Sequence, residues 1–457
     1  MIIKGGNVIT DDGPGPADIV VEGSTITAVT GPDQAPGGDQ VIDASGLWVL
    51  PGAIDAHTHF GMPLGSGVSS LGWRESSEAA LLGGTTTIID FANPAVGEPL
   101  PEAVAKWRGM ADGTILCDYG LHVTVTDVAS ERLAEIPALV EQGLATFKGF
   151  LAYKGRLMLS LAEMKRLMEA VHQAGAMLLV HAEDGEMNAA AEKVLLDTGR
   201  TAASWHPLAH PDESEEKAVA EILDLAIATG CPLTIVHMSL GRSLELLKEA
   251  RNNQDRDGIL LGEVCLHHLF ADSGLYQAGH EASTAAICSP PLRSADNGAD
   301  LLAGLVTGDL DFMSTDHCEF SLAVKSAAAG GGFPRVPNGC GGVGERMVVS
   351  HTLAVATGKM DPARWIDTCC RRPAELMGLA GRKGRLAPGF DADIVLFDPA
   401  ASYRWEPLGQ SDRAGSLWAG LPVTGRVRDV WLRGRQVVAD GMLTLDQTGG
   451  EFLPRRL

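Results

Sequence analysis

From about residue 53 to residue 315 the chain alternates short unbroken apolar runs with longer amphipathic stretches. The runs fall at 53–59, 85–92, 119–126, 145–152, 176–182, 233–238, 259–266 and 311–315, and most are rich in Val, Ile and Leu. A strand needs such a run when both its faces are covered, as in a parallel sheet wrapped by helices. The stretches between the runs read as helices. Ser160-x-x-Glu163 is a capping box ahead of a helix over 161–174 that stops at Gly175. Asp212-x-x-Glu215 opens another, with Val219, Ile222, Leu223 and Ala226 on one face and Gly230 as its stop. Eight strands alternating with helices favour a (β/α)8 TIM-like barrel, with a doubly wound open sheet as the structural rival.

The two ends of the chain have a different texture. Before the barrel, short strand-like segments lie at 2–3, 8–10, 18–21, 25–29 and 41–43, with turns expected at Gly13-Pro14-Gly15-Pro16 and Pro36-Gly37-Gly38. Strands return after residue 384, at 393–397, 430–432 and 436–438. Neither end buries much alone, so both are expected to build one small β-sandwich with the barrel inserted between them. The expected divisions are 1–51 (N-terminal part of the sandwich), 52–384 (barrel), 385–444 (C-terminal part) and 445–457 (tail). The tail, Gly449-Gly450-Glu451-Phe452-Leu453-Pro454-Arg455-Arg456, is expected to be extended and to pack on a neighbouring subunit.

Composition narrows the class of partner. An apolar share of 45% with 21% charged residues over 457 positions is globular usage and enough for a large core. The net charge of −22 argues against nucleic acid or an anionic membrane as partner. No apolar run approaches the ~20 residues of a bilayer span, and Met1–Asn7 has no signal core. The eight cysteines contain no Cys-x-x-Cys pair, so they read as reduced thiols and the expected location is cytoplasmic.

Candidate chemistry sits at the strand ends, where parallel barrels gather functional side chains. Strand one ends in His57-x-His59, two imidazoles two positions apart and hence on one face. Strands five and six end in His181 and His237, and strand eight runs into Asp316. Lys148, inside strand four, is a poor neighbour for a dication as an ammonium. A buried lysine with a depressed pKa is nucleophilic and takes up carbon dioxide to give an anionic carbamate; the plainer reading is a lysine reaching to the barrel rim.

As an ordered set these residues resemble the amidohydrolase superfamily, and within it the dihydropyrimidinase/D-hydantoinase family of cyclic amidases. The matching segments are Gly52-Ala53-Ile54-Asp55-Ala56-His57-Thr58-His59, Phe147-Lys148-Gly149-Phe150-Leu151-Ala152-Tyr153-Lys154-Gly155, His181-Ala182-Glu183 and Ile235-Val236-His237. Further matches are Ser289-Pro290-Pro291-Leu292-Arg293, Thr315-Asp316-His317-Cys318, Pro337-Asn338-Gly339 and the run from Gly384 to Val395. The resemblance implies two Zn²⁺ per subunit. One would be held by His57, His59, N6-carboxylated Lys148 and Asp316, the other by the same lysine, His181 and His237, with a hydroxide between them. It also implies Asp316 as proton carrier, Tyr153 as oxyanion donor, and main-chain groups at Ser289 and Asn338 as partners of a cyclic amide or imide. The implied assembly is a homo-oligomer, a tetramer or dimer.

The sequence departs from the family in places. Phe60-Gly61-Met62-Pro63-Leu64-Gly65-Ser66-Gly67 lacks an acidic residue at 61 and Phe-Gly-Gly at 64–66, in a loop expected to border the substrate's exocyclic group. Glu319 stands where Pro is usual and Gly344 where an acidic residue is usual. His317 and Cys318 read as supports beside Asp316 rather than ligands, and His267-His268 at the end of strand seven as outside the site. Gly61, where dihydroorotases carry Arg, and Tyr153, usually absent from allantoinases, favour a dihydropyrimidine or hydantoin ring over those two sister activities. A non-catalytic scaffold on the same fold would have lost the ligands, all of which are present. The Gly330-Gly331-Gly332 and Gly341–Gly344 runs lack the pattern of a phosphate loop.

Overall fold

The eight apolar runs form eight parallel strands that neighbour one another in chain order: Ala53–Thr58, Thr85–Ala92, Asp118–Thr124, Thr146–Phe150, Met177–His181, Leu233–Ile235, Leu260–Cys265 and Phe312–Ser314. Every residue in them is buried, which is why they read as unbroken runs rather than alternating ones. The structure is a computed structural model and describes all residues except 11–12, 36, 38–39, 65–67, 254–258 and 445–448. The strand order never reverses, so the doubly wound alternative, which needs a switch point, does not apply.

Strands one and eight meet through side chains. The Asp55 carboxylate accepts the Thr315 N–H at 3.2 Å and the Thr315 hydroxyl at 2.6 Å. Arg346, fully buried, donates from Nη1 to Ile54 O on strand one and to Met313 O on strand eight, both at 2.8 Å. One main-chain bond, His59 N–H to His317 O at 2.8 Å, completes the join just beyond the strands. The barrel is thus closed by a buried Asp55–Arg346 pair, 4.0 Å apart.

The helix signals held unevenly. Leu161–Gln173 carries both bonds of the capping box, Ser160 Oγ accepting from Glu163 N and Glu163 accepting from Ser160 N. The helix Asp212–Thr229 ends at Gly230 in the left-handed region (φ +70°), as expected, but Pro211 precedes it and no side chain caps it. Asp212 instead pairs with Arg293 at 2.9 Å. Glu215 is turned inward, where its carboxylate accepts the Ser239 N–H, the Leu240 N–H and the Ser239 hydroxyl beyond strand six. Buried main-chain donors drew this carboxylate away from its own helix end.

Both chain ends contribute to one nine-stranded sheet with its own core of Ile3, Val8, Ile19, Val49, Ile394, Leu396 and Trp431. The halves join where Trp48–Pro51 runs antiparallel to Ile394–Arg404, Val49 opposite Leu396. The Gly13–Pro16 segment, expected as a turn, is the start of strand Gly13–Glu22, with Pro14 opposite Ile9 and Pro16 opposite Asn7. The next strand pairs with it only from Asp18 onward, so these prolines lie on a free edge where a missing N–H costs nothing. The turn expected at Pro36-Gly37-Gly38 falls largely outside the described residues.

The tail packs on its own barrel. Tyr119 N–H donates to Glu451 O at 2.9 Å and Leu453 N–H to Tyr119 O at 2.7 Å, beside the start of strand three. Arg455, 1% exposed, reaches under the barrel to Met377 O, Leu121 O and the Thr146 hydroxyl.

Next to the closing arginine, Glu345 is also buried, and burial with the neighbouring Glu319 carboxylate pushes it up to about 8. An unfolded Glu ionises near ~4.3. Between these values the unfolded chain releases a proton that the native one keeps, so this group's contribution to stability falls as pH rises from about 4.5 to 8. Glu345→Gln should remove that slope. Its urea midpoint should exceed that of the parent by more at pH 8 than at pH 5, by on the order of a few kcal/mol in unfolding free energy. Equal differences at both pH values would contradict a protonated native Glu345.

Candidate metal centre

The barrel sets the candidate residues at one mouth. His57 lies on strand one and His59 just past it, Lys148 within strand four, His181 at the end of strand five, His237 just past strand six and Asp316 just past strand eight. His57 Nε2 and His59 Nε2 approach the same Asp316 oxygen, Oδ1, at 3.1 and 2.9 Å. The His237 ring links this group to His181, its centroid 5.5 Å from that of His57 and 4.5 Å from that of His181. Lys148 Nζ lies between, 5.2 Å from the ring centres of both Phe91 and Phe150. Phe91 packs against His57 and His59, and Phe150 against His181.

Backbone conformation re-aims several of these side chains. His237 (φ +40°), Asp316 (φ +48°) and Tyr153 (φ +63°) occupy the left-handed region, which costs a non-glycine residue on the order of 1 kcal/mol. In each case the chain leaves a strand and turns sharply over the mouth. Tyr153 is half-buried, its ring 5.2 Å from His181, and its hydroxyl contacts Ser289.

Two carboxylates orient the imidazoles from behind. His57 Nδ1 faces both Glu263 oxygens at 3.0 Å, and the Ser314 hydroxyl donates to Glu263 Oε1. His181 Nε2 faces Glu183 Oε2 at 2.6 Å, and Glu183 Oε1 in turn faces His210 Nδ1 at 2.8 Å. Carboxylate backing fixes the tautomer and raises the basicity of a ligating imidazole. Glu263 was legible as one acid inside the apolar run 260–265, and Glu183 as the third residue of His181-Ala182-Glu183.

Electrostatics follow from burial and these pairs. Burial works against a charge on His57, but Glu263 and Asp316 outweigh it and hold its pKa up at about 9. Burial pulls His59, His181 and His237 down, so they are neutral donors at neutral pH. Burial resists ionisation of Asp316, yet His57 and His59 hold its carboxyl well below the usual range. Burial brings Lys148 down to about 8 against the pull of Glu263 and Asp316.

The donor set fits a cation. Two imidazole nitrogens and a carboxylate oxygen converge on one point, and one ligand atom from each of His57, His59 and Asp316 lies within 4.8 Å of the others. His59 Nδ1 and His237 Nδ1 are buried without partners among the described residues. Lys148 is 1% exposed, and no carboxylate among the described residues lies within ion-pair distance of its amine.

The neighbouring candidates fall into place around this centre. The Ser289 hydroxyl donates to Glu183 Oε2 at 3.3 Å, and Asn338 is half-buried. Their two segments are tied by Gly339 N–H to Ile287 O at 3.0 Å. Lys325 ties them again, donating to Ala285 O, Ile287 O and Gly339 O at 2.8, 2.9 and 2.6 Å. Nothing in the alanine-rich sequence around Lys325 marked it for this. His317 faces away from the centre, its Nδ1 accepting the Gly342 and Val343 N–H groups and its Nε2 facing Ser76. In the loop after His59, residues 65–67 lie outside those described.

Comparison with known proteins agrees with this geometry. Residues 48–437 match the amidohydrolase family. The chain is 36% identical to D-hydantoinase of Streptomyces coelicolor over 99% of its own length and 97% of the relative's. It is 35% identical to D-phenylhydantoinase of Escherichia coli O81 over 100% and 98% of the two chains. The crystal structure of dihydropyrimidinase from Brevibacillus agri superposes with a TM-score of 0.95 at 31% identity, over 100% and 98% of the two chains. This chain belongs to the amidohydrolase family.

Proposed function

We propose that the protein is a metal-dependent cyclic amidohydrolase that opens a dihydropyrimidine or hydantoin ring to an N-carbamoyl amino acid. The observation that carries this reading is the convergence of His57, His59 and Asp316, beside Lys148, His181 and His237, in a chain alignable end to end with hydantoinases. His57, His59 and Asp316 would hold one Zn²⁺, His181 and His237 a second, and N6-carboxylated Lys148 both. When bound, such a pair supplies hydroxide at neutral pH, by lowering the pKa of water to about 7, and a Lewis acid for the ring carbonyl.

The chain's own residues do the rest. With its pKa near 8, about a tenth of Lys148 is free amine at pH 7, against fewer than about one in a thousand for an ordinary lysine, so carbamate formation is within reach. Asp316 is kept as the carboxylate, able to take the proton of the attacking water and pass it to the leaving ring nitrogen. Burial keeps the Tyr153 phenol protonated, a donor for the carbonyl oxygen as negative charge grows there. Main-chain groups at Ser289 and Asn338 would hold the cyclic amide, and Lys325 fixes the distance between their segments. Water adds across the ring C–N bond: oxygen goes to the carbonyl carbon, a proton to the nitrogen.

A dihydroorotase reading is disfavoured at Gly61. A Cβ there would lie 2.9 Å from the Trp73 ring, on a backbone at φ +58°, so an arginine for a substrate carboxylate has no place. The proposed partners are this small cyclic substrate and further copies of the chain, as a dimer or tetramer. The eight free cysteines, all buried, suit a reducing cytoplasm. The proposed division keeps 52–384 as the catalytic barrel, 1–51 and 385–444 as its companion β-domain, and 445–457 as the tail.

Hydrolysis measured with zinc across dihydrouracil, hydantoin, 5-substituted hydantoins, allantoin and dihydroorotate should be fastest on the dihydropyrimidine or hydantoin rings. Turnover confined to allantoin or dihydroorotate would refute the assignment. Lys148→Ala should lose both metals and all activity, read by metal content per chain; full metal with full turnover would rule out the bridging carbamate. Tyr153→Phe should keep its metal and lose about 10²–10³ in kcat, the usual effect of removing one oxyanion donor. An unchanged kcat would take Tyr153 out of the mechanism.

A further inference from the structure

Strand seven supplies no residue to the centre described above beyond Glu263, yet its end carries a second group of metal-competent side chains. Cys265 is the last residue of the strand, and His267 and His268 follow in the first turn after it. One ligand atom from each of the three lies within 4.8 Å of the other two, and all three residues are buried. Their exposures are 0%, 3% and 4%. The imidazoles pack at a centroid distance of 4.2 Å. His268 Nε2 donates to Pro290 O at 3.1 Å, which leaves the lone pair on Nδ1. That Nδ1 and His267 Nε2 are both buried without a hydrogen-bond partner among the described residues. The Cys265 thiol has the Ser314 hydroxyl at 3.6 Å, but the two ring nitrogens beside it have no carboxylate or ammonium bonded to them and are left unsatisfied by packing alone.

We propose that Cys265, His267 and His268 form a separate binding site for a borderline-soft divalent ion such as zinc, distinct from the centre at the barrel mouth. A tetrahedral ion with bonds of about 2.0–2.3 Å to nitrogen and sulfur keeps its ligand atoms roughly 3.3–3.8 Å apart, so the three atoms need only a small closure. The thiol and imidazole donors select zinc or cobalt(II) against magnesium or calcium, which require oxygen. A fourth position is left for water. Burial favours neutral imidazoles in both histidines, the form that ligates. Burial also keeps the Cys265 thiol protonated in the absence of an ion, so uptake displaces one proton to the solvent as the thiolate binds. The ion would stiffen the end of the strand two residues beyond Glu263, and so the carboxylate that orients His57. The site is a positioning device that acts on His57 through Glu263.

The test uses the full chain, stripped with a chelator and titrated with cobalt(II). None of the residues proposed for the mouth is a cysteine, so a thiolate-to-cobalt charge-transfer band in the near ultraviolet that is lost in Cys265→Ser reports this site. The expected result is such a band in the parent chain, lost in Cys265→Ser and lost or at least tenfold weaker in affinity in His267→Gln and His268→Gln. Metal content per chain after gel filtration should fall by one ion in each variant. Absence of the band from the parent, its survival in Cys265→Ser or in both histidine variants, or unchanged metal content would overturn the proposal. If Cys265→Ser does not fold, as judged by circular dichroism, the two histidine variants decide the matter through the same band. The readout is metal rather than turnover, so the outcome is independent of which ring the enzyme opens.

Discussion

The barrel depends on how its first and last strands are joined. A regular ladder between strands one and eight would fix them only to each other. Here the Asp55 carboxylate, the Thr315 hydroxyl and the Arg346 guanidinium make the join from inside the protein. Such groups are expensive to leave unpaired in a low-dielectric interior, so the join is either complete or strongly unfavourable. That sharpness carries a functional benefit. His57 is two residues beyond Asp55, and Asp316 one beyond Thr315, so the same contacts that shut the barrel set the imidazoles opposite their carboxylate.

The mouth is organised in shells of alternating charge preference. Imidazoles point inward, carboxylates stand behind His57 and His181, and serines or a further histidine stand behind the carboxylates. Glu263 and Glu183 play the same part for His57 and His181 on opposite sides of Lys148. Each backing group is buried, where its field is least screened. The price of this density of polar groups is borne by the surrounding apolar strands.

Much of this could be read from residues alone. Strand existence was legible because burial on both faces leaves an unbroken apolar run, and the candidate donors were legible because they recur at strand ends. What escaped was set by tertiary context. Glu215 looked like part of a helix cap, but unpaired N–H groups at Ser239 and Leu240 attracted it inward. Pro14 and Pro16 looked like a turn, but lie on a strand whose other edge is free. The contacts of Arg455 had no local signature, because Leu121 and Met377 lie far from it in sequence. Lys325 had no local signature, because its three acceptors come from segments far apart in sequence.

Arg455 has a consequence for the order in which the molecule can be finished. It donates to carbonyls on strand three and after the last barrel helix, and to a hydroxyl on strand four. During synthesis those groups emerge long before the arginine does. The nine-stranded sheet is completed late as well, since Trp48–Pro51 has Ile2–Thr10 on one side but meets Ile394–Arg404 on the other only when the C-terminal part is made. Contacts of such long sequence separation slow folding. The underside of the barrel is therefore sealed by a side chain that stands 334 positions along the chain from one of its partners and 309 from another.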